Sequence, residues 1–126
     1  MRLRRPSARC RVEWYSHKLD FSVQHQFETH GLTIAFLTRG NVKLELLGGG
    51  ATESSPPVGD LANSLNSARI HHFCVTVDNL DATLEELRTR GVRILGEPFD
   101  VPPIGQRVAF VNDNSGNVIE LTQPSA

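Results

Sequence analysis

The sequence predicts an α+β fold in which two similar modules form a mixed, mostly antiparallel sheet cup with helices on its outer face. Three observations support this prediction: apolar and polar residues alternate along several short segments, two segments have helical periodicity, and one residue pattern occurs twice. Alternation with a period of two is typical of strands that bury one face, whereas apolar residues at i, i+4 and i+7 line one side of a helix. Two copies of a strand–helix–three-strand unit would supply a layer of strands covered by helices.

The repeated pattern is the basis for predicting two modules. Residues 34–37 (IAFL) and 40–46 (GNVKLEL) are matched by residues 108–111 (VAFV) and 116–121 (GNVIEL). A repeat on this scale sets the architecture, because each copy is expected to form the same local unit. The stretch between the copies is rich in Gly, Ser and Pro, which is typical of long functional or mobile connections. We therefore expect one domain over residues 1–126, with a first module at about 8–47, a linker at 48–68 and a second module at about 69–123.

Strands are predicted where alternation is clear and turn residues separate the segments. They are expected at residues 21–27, 32–37, 42–47, 70–77, 92–95, 107–111 and 117–122.

Two helices are predicted, at residues 81–90 and 9–18. Their apolar sides consist of Leu80, Leu84 and Leu87 in the later helix, and of Val12, Tyr15 and Leu19 in the earlier one. Asp78 or Asn79 can cap the start of the later helix, and Gly91 is suited to end it.

Composition and charge argue against several classes of protein. The formal net charge of −1 gives no overall attraction to nucleic acid or membranes, and no apolar run has the length of a membrane helix. The Arg-rich residues 1–11 lack the apolar stretch of a secretory signal, and we interpret them as a solvated leader. Cys10 and Cys74 have no metal-type spacing and are expected to be free thiols in a reducing compartment. We therefore expect a cytoplasmic protein that binds neither nucleic acid nor membranes.

Strand alternation places three polar residues on one face of the predicted sheet. Glu45 and Glu120 each lie between apolar neighbours that would face the helices, and His72 lies on the side of its strand opposite the apolar residues Phe73, Val75 and Val77. A carboxylate in an apolar strand costs several kcal/mol if it is desolvated without a partner. A shared divalent cation would explain the matched pair of glutamates, since one imidazole and two carboxylates suit Mn, Fe, Co, Ni or Zn. The residues alone leave an alternative, in which both glutamates are exposed and His72 forms ordinary hydrogen bonds.

Several motifs resemble those of the vicinal-oxygen-chelate superfamily, which includes glyoxalase I, methylmalonyl-CoA epimerase, extradiol dioxygenases and the fosfomycin and bleomycin resistance proteins. The motifs are residues 71–82 (HHFCVTVDNLDA), 43–47 (KLELL) and 116–121 (GNVIEL). The resemblance extends from about Trp14 to Gln123. It is nearest to the epimerase branch, through residues 30–33 (HGLT), 55–56 (SP), 72–74 (HFC) and 120–123 (ELTQ).

The resemblance implies a metal-dependent lyase or isomerase that acts on a small substrate with two adjacent oxygens. Glu45, His72 and Glu120 would be the metal ligands, and Glu120 or Glu45 would also be the catalytic base that forms an enediolate-type intermediate. Members of the family usually form dimers, so a homodimer is expected. Two alternatives remain open: a metal-free, resistance-type module that binds a small molecule, and an inactive truncated member.

The sequence also departs from the family pattern in two places. The repeat places the counterpart of His72, which would be a fourth ligand, at or just before Met1, where no His occurs. Residues 1–7 contain three arginines and a proline, so we expect no buried strand there and a weaker metal site than in a four-ligand relative. Thr29 stands where an epimerase-like base would be, and the adjacent Glu28 should face the other side of its strand.

The remaining histidines have weaker claims to a role in the site. His71 should fall on the apolar side of its strand and is interpreted as structural. His25 and His30 lie on or beside a strand that could line the cup, whereas His17 lies on a helix and is expected to be exposed.

Overall fold

A computed structural model of the protein describes residues 8–48, 61 and 70–125. The chain divides into two units, Met1–Ser55 and Pro56–Ala126, which are described separately below. Residues 1–7 of the predicted leader, where no buried strand is expected, and most of the predicted linker lie outside the described residues, whereas residues 8–11 of that leader are helical. No helix in the described part of the chain is long and apolar enough to cross a membrane.

The described part of the first unit, residues 8–48, consists of one helix followed by a three-stranded antiparallel sheet of order β1-β2-β3. Its elements are α1 (Ala8–Leu19), β1 (Ser22–Thr29), β2 (Leu32–Arg39) and β3 (Val42–Gly48). Two-residue turns join the strands. His30 and Gly31 both have positive φ, at 50° and 77°, as the commonest two-residue hairpin turn requires.

Helix α1 covers one face of this sheet and contacts all three strands. Ala35 and Leu37 on β2 are fully buried, and Val12 and Tyr15 on the helix are also buried. Phe21, between α1 and β1, packs edge-on against Tyr15 with ring centroids 5.8 Å apart. These residues form the core of the first unit, and the sheet face away from α1 carries polar, aromatic and aliphatic side chains.

Residues 70–125 of the second unit contain an α-helix, a short 3-10 helix and a five-stranded sheet. Its elements are β4 (His72–Thr76), α2 (Leu80–Thr89), β5 (Arg93–Ile94), β6 (Phe99–Val101), a short 3-10 helix (Pro102–Ile104), β7 (Gln106–Asn112) and β8 (Val118–Pro124). The strand order is β4-β8-β7-β5, with β6 also paired to β7. The pairing of β4 with β8 is parallel and the other pairings are antiparallel. The predicted α+β class with mixed, mostly antiparallel sheets is therefore confirmed.

Helix α2 forms where the leucine spacing predicts it. Leu80, Leu84 and Leu87 are 0%, 1% and 3% exposed. The side chain of Asn79 accepts a hydrogen bond from the backbone N–H of Ala82 at 3.0 Å, so Asn79 is the capping residue. Gly91 follows the helix with a φ of 79°, a conformation that glycine adopts without strain.

The observed strands depart most from the sequence-based prediction at β4, β5 and β6, whereas the bounds of the others differ by one or two residues at an end. β4 is shorter than predicted, because Ile70 lies outside the strand and is 94% exposed. β5 contains only two residues, and it pairs with the far end of β7. β6 was not predicted, since three residues are too few for alternation to be visible and two prolines follow them at once.

A buried aspartate fixes the turn between β7 and β8. Asp113 is 6% exposed, and its Oδ1 accepts hydrogen bonds from the backbone N–H groups of Ser115 and Asn117, each at 2.8 Å. Its Oδ2 accepts a further bond from Asn117 Nδ2 at 2.9 Å. Because the turn sets the register of the hairpin, Asp113 helps to fix the position of every residue on β8.

The first prediction concerns this turn. Asp113→Ala removes three accepted hydrogen bonds and leaves the partly buried N–H groups of Ser115 and Asn117 without this partner, so we expect the free energy of unfolding to fall by about 1–3 kcal/mol. Urea denaturation followed by circular dichroism measures the change. Asp100→Ala on β6 is the control, because Asp100 is exposed and its loss should change stability by about 0.5 kcal/mol or less. Equal stability of the two variants would contradict the role given to Asp113.

Candidate functional site

The two units carry the same glutamate at equivalent places. Glu45 on β3 is paired with Phe36 on β2, and Glu120 on β8 is paired with Phe110 on β7. Residues paired across neighbouring strands point to the same side of a sheet. In each unit the Phe–Glu pair lies on the face away from the helix, as the repeat and the alternation predict.

In the second unit the structure brings two of the predicted ligands together. Cys74 on β4 is paired with Glu120 on β8, and His72 precedes Cys74 by two residues and therefore shares its face. His72 Nε2 lies 3.6 Å from Glu120 Oε1, and the two side chains are 27% and 21% exposed. The pair is thus half-buried and open to a ligand from one side.

The ring of His72 is held on two sides. His71 Nδ1 lies 2.7 Å from His72 Nδ1, within hydrogen-bond distance, and the two rings are nearly perpendicular at 89°. The ring of Phe110 also meets His72 edge to face, with centroids 5.4 Å apart. Phe99 stacks on Phe110 at 6.2 Å. Sequence reasoning did not identify these three neighbours as part of the site, and it interpreted His71 as a residue of the apolar side.

Cys74 is another member of the site that sequence reasoning missed. It follows His72 by two residues and therefore lies on the same face of β4. Cys74 is exposed as a residue, but partial desolvation of its sulfur, together with the hydrogen bond to Glu120 and the negative charge of that carboxylate, raises the pKa of Cys74 to about 12. A hydrogen bond to Thr122 acts in the opposite direction. Cys74 is therefore a neutral thiol at neutral pH, and it can donate a hydrogen bond to Glu120.

The side chains that surround His72, Cys74 and Glu120 in the second unit are apolar. Val108, Phe110 and Val118 form a buried cluster, against which Leu61, Leu95 and Val101 are packed. Such surroundings strengthen electrostatic interactions among the polar groups that they enclose.

Glu45 has a different environment in the first unit. It is exposed on β3, and the amine of Lys43 lies 5.7 Å from the ring centroid of Phe36. Phe27 stacks on Phe36 at 6.4 Å, and the ring of His25 lies 5.3 Å from Phe27. His25 therefore shares the sheet face of Glu45. The sequence analysis placed His25 on or beside a strand that could line the cup.

Glu28, the carboxylate next to Thr29, lies on the opposite face of the sheet from Glu45. Thr29 pairs with Leu32 and shares a face with Phe27, whereas Glu28 pairs with Thr33 and points to the side of α1. Glu28 is exposed on that side. The predicted reversal of Glu28 is consistent with this register.

His72 and Glu120 fit a metal ion as two of its donors. Two ligands at about 2.1 Å from a tetrahedral ion lie about 3.4 Å apart, close to the observed separation of 3.6 Å. One imidazole and one carboxylate suit a divalent transition metal. Within residues 8–48, 61 and 70–125, no group of three or more His, Cys, Asp or Glu side chains is arranged to hold an ion. Ligation by Glu45, which belongs to the first unit, stays a prediction.

Comparison with known proteins identifies the family that this chain resembles. The family model described as Glyoxalase/Bleomycin resistance protein/Dioxygenase superfamily matches residues 2–121. The chain is 31% identical over 96 residues to the mitochondrial methylmalonyl-CoA epimerase of Bos taurus, covering 75% of this chain and 54% of that protein. It is 37% identical over 98 residues to the ethylmalonyl-CoA/methylmalonyl-CoA epimerase of Cereibacter sphaeroides, covering 75% and 71%. The chain spans about half the length of the mammalian relatives that it matches.

Solved structures support the same fold. SMU.1112c superposes with a TM-score of 0.72 at 24% identity, over 88% of this chain and 86% of that one. The trypanothione-dependent glyoxalase I of Leishmania major superposes with a TM-score of 0.70 at 21% identity, over 96% and 81%. At these identities the likeness concerns the fold alone.

The second prediction follows from the environment of Cys74. In chelator-treated protein at pH 8, Cys74 should react with iodoacetamide at least about a hundredfold more slowly than an ordinary thiol, because its raised pKa suppresses the reactive thiolate. Glu120→Gln removes the negative charge beside the sulfur, so the pKa should fall and the reaction should become faster. Mass spectrometry of the Cys74 peptide between pH 7 and 10 measures the rates.

The control for this experiment is Glu97→Gln, which changes an exposed carboxylate. This variant should leave the alkylation rate of Cys74 unchanged. An equal rate in the Glu120→Gln variant and the unaltered protein would show that the carboxylate does not act on the thiol.

Proposed function

The chain belongs to the Glyoxalase/Bleomycin resistance protein/Dioxygenase superfamily, and on that premise we propose that it is a divalent-metal-dependent isomerase that epimerises a 2-alkylmalonyl thioester. The observation that carries the proposal is the approach of His72 to Glu120 on the open face of the second sheet. The substrate class comes from the relatives, which are epimerases of methylmalonyl-CoA and ethylmalonyl-CoA.

We propose that Glu45, His72 and Glu120 hold the ion. The separation of His72 and Glu120 supports two of these ligands, and the equivalent position of Glu45 in the repeat supports the third. Mn, Fe, Co, Ni and Zn all accept such a set of donors. A bound divalent cation would supply the positive charge that favours removal of a proton next to a carbonyl group.

The proposed reaction moves one proton at carbon 2 of the substrate. That carbon lies between two carbonyl groups, so removal of its proton leaves an electron pair that both carbonyls share. A carboxylate that takes the proton from one side, and a second carboxylic acid that returns one from the other side, together invert the configuration. Glu45 and Glu120 are the two groups that we assign to these steps.

The environments of the two glutamates suit different parts of this task. Glu45 is exposed on its strand, so its carboxylate is free to turn toward a substrate. Glu120 is half-buried and accepts a hydrogen bond from Cys74. That bond holds the carboxylate in place without adding a second charge to the site, because the thiol stays neutral. The apolar cluster around Phe110 is suited to contact the alkyl substituent of the substrate.

The second candidate function is a metal-free module that binds a small molecule. It is favoured by two observations on the described residues: no group of three or more metal-binding side chains is found there, and the aromatic side chain of Phe99 is 49% exposed beside Phe110. Metal analysis of protein purified without chelator separates the two functions. Stoichiometric metal supports the isomerase, whereas ligand binding without metal supports the binding module.

The third prediction tests the isomerase directly. Separate (2R)- and (2S)-methylmalonyl-CoA samples in deuterium oxide should take up deuterium at carbon 2 when the protein and a divalent metal are present. Glu45→Gln and Glu120→Gln should each slow this exchange by at least about a hundredfold for one or both epimers, because a positioned base contributes about that much. Mass spectrometry after acid quenching measures the uptake.

Glu28→Gln is the matched control, since Glu28 is exposed and lies on the side of its sheet that faces α1. It should keep the exchange rate within about twofold of the unaltered protein. Loss of exchange in only one epimer assigns a variant's glutamate to one side of the substrate. Absence of exchange with all five metals, or full exchange in both glutamine variants, would overturn the assignment.

We also propose that the protein is a cytoplasmic homodimer, and this is the fourth prediction. The outer edge of β1 is unpaired within the described residues, and all but one of its eight residues are exposed. Unpaired edges of this kind favour association with another chain. Sedimentation velocity at tens of micromolar should show a dimer, and a monomer alone would contradict the prediction.

A further inference from the structure

We propose that His71 is a positioning residue for His72: its Nδ1 accepts a hydrogen bond from Nδ1–H of His72 and so leaves Nε2 of His72 free to bind a metal ion beside Glu120. This role rests on the proposed function, because it concerns one of the residues that would hold the ion. It differs from the sequence-based interpretation, in which His71 falls on the apolar side of its strand and is structural.

The proposal depends on the number of protons that two imidazoles can share. His71 Nδ1 and His72 Nδ1 are 2.7 Å apart, so one of them must donate and the other must accept. A neutral imidazole carries its proton on one nitrogen and a lone pair on the other. If His72 donates from Nδ1, its Nε2 holds the lone pair that a metal needs. If His71 donates instead, His72 carries its proton on Nε2 and cannot be a ligand.

Glu120 does not replace His71 in this role. It lies 3.6 Å from His72 Nε2, which is too long for a hydrogen bond, and it is on the metal-binding side of the ring. The contact with His71 is nearly 1 Å shorter and is on the opposite nitrogen. A hydrogen bond at the far nitrogen is the usual means by which proteins orient a metal-binding histidine.

The position of His71 in the chain makes this contact possible. Consecutive residues within a strand point to opposite faces, which would keep two adjacent histidines apart. β4 begins at His72, so His71 lies just before the strand. The side chain of His71 therefore need not point to the face opposite His72. Its ring can therefore turn back onto His72, where the two rings meet at 89°.

Phe110 restrains the same ring in a different way. It meets His72 edge to face, at 5.4 Å and 84°, and therefore limits how the imidazole can rotate. Phe110 has no hydrogen-bonding group, so it cannot decide which nitrogen of His72 carries the proton. The two neighbours thus have separable effects, and variants at the two positions can distinguish tautomer selection from packing.

The experiment that tests this inference, our fifth prediction, compares zinc binding by four proteins in competition with a chelating dye. His71→Phe keeps a ring but has no acceptor, and its zinc dissociation constant should rise by about 10–100-fold. His71→Asn supplies an amide oxygen as acceptor and should recover most of the affinity. Phe110→Leu keeps an apolar side chain and should weaken binding less than His71→Phe does.

Nitrogen-15 NMR of the unaltered zinc-loaded protein gives a readout that needs no variant. His71 should carry its proton on Nε2 and have a bare Nδ1, and the proton between the rings should belong to His72 Nδ1. A proton on His71 Nδ1 in the loaded protein would overturn the inference. Full zinc affinity in His71→Phe would do the same while leaving the proposed function intact, whereas absence of zinc binding by the unaltered protein would overturn both.

Discussion

The parallel pairing of β4 with β8 decides where the candidate site lies. It sets Cys74 opposite Glu120 and thereby brings His72 to the same carboxylate. A shift of one residue in this register would turn His72 toward α2 and remove it from Glu120. Such a shift is opposed by the packing of the other sheet face, where Ile119 and Leu121 are fully buried. The apolar core therefore fixes the polar site on the opposite face.

Much of this arrangement follows from patterns that are visible in the sequence. The leucine spacing in α2, the alternation in β4 and β8, and the repeat all concern periodic burial, and burial is what determines the main elements. The repeat also predicts that Glu45 and Glu120 have equivalent places, and both are found opposite a phenylalanine. These features depend on the backbone and on which face is apolar, so a single sequence is enough to indicate them.

The features that could not be predicted from the sequence depend on side-chain conformation, on the register between strands or on very short segments. The hydrogen bond between His71 and His72 depends on where β4 begins, and the strand boundary could not be read to within one residue. The raised pKa of Cys74 needs the register between β4 and β8, which alternation within each strand does not give. β6 was missed because three residues carry too little pattern. The joint ligation of one ion by Glu45, His72 and Glu120 stays a prediction.

The paired placement of each glutamate with a phenylalanine has a consequence for how such a protein can diverge. Within each unit, the polar position lies on one sheet face and the core that stabilises the unit lies on the other, so a substitution of Glu45 leaves Ala35 and Leu37 untouched. Exchanges at Glu120 likewise leave Ile119 and Leu121 in place. Each carboxylate can therefore be exchanged by mutation without disturbing the apolar core of its own unit, so the chemistry of the polar face can change while the fold is kept.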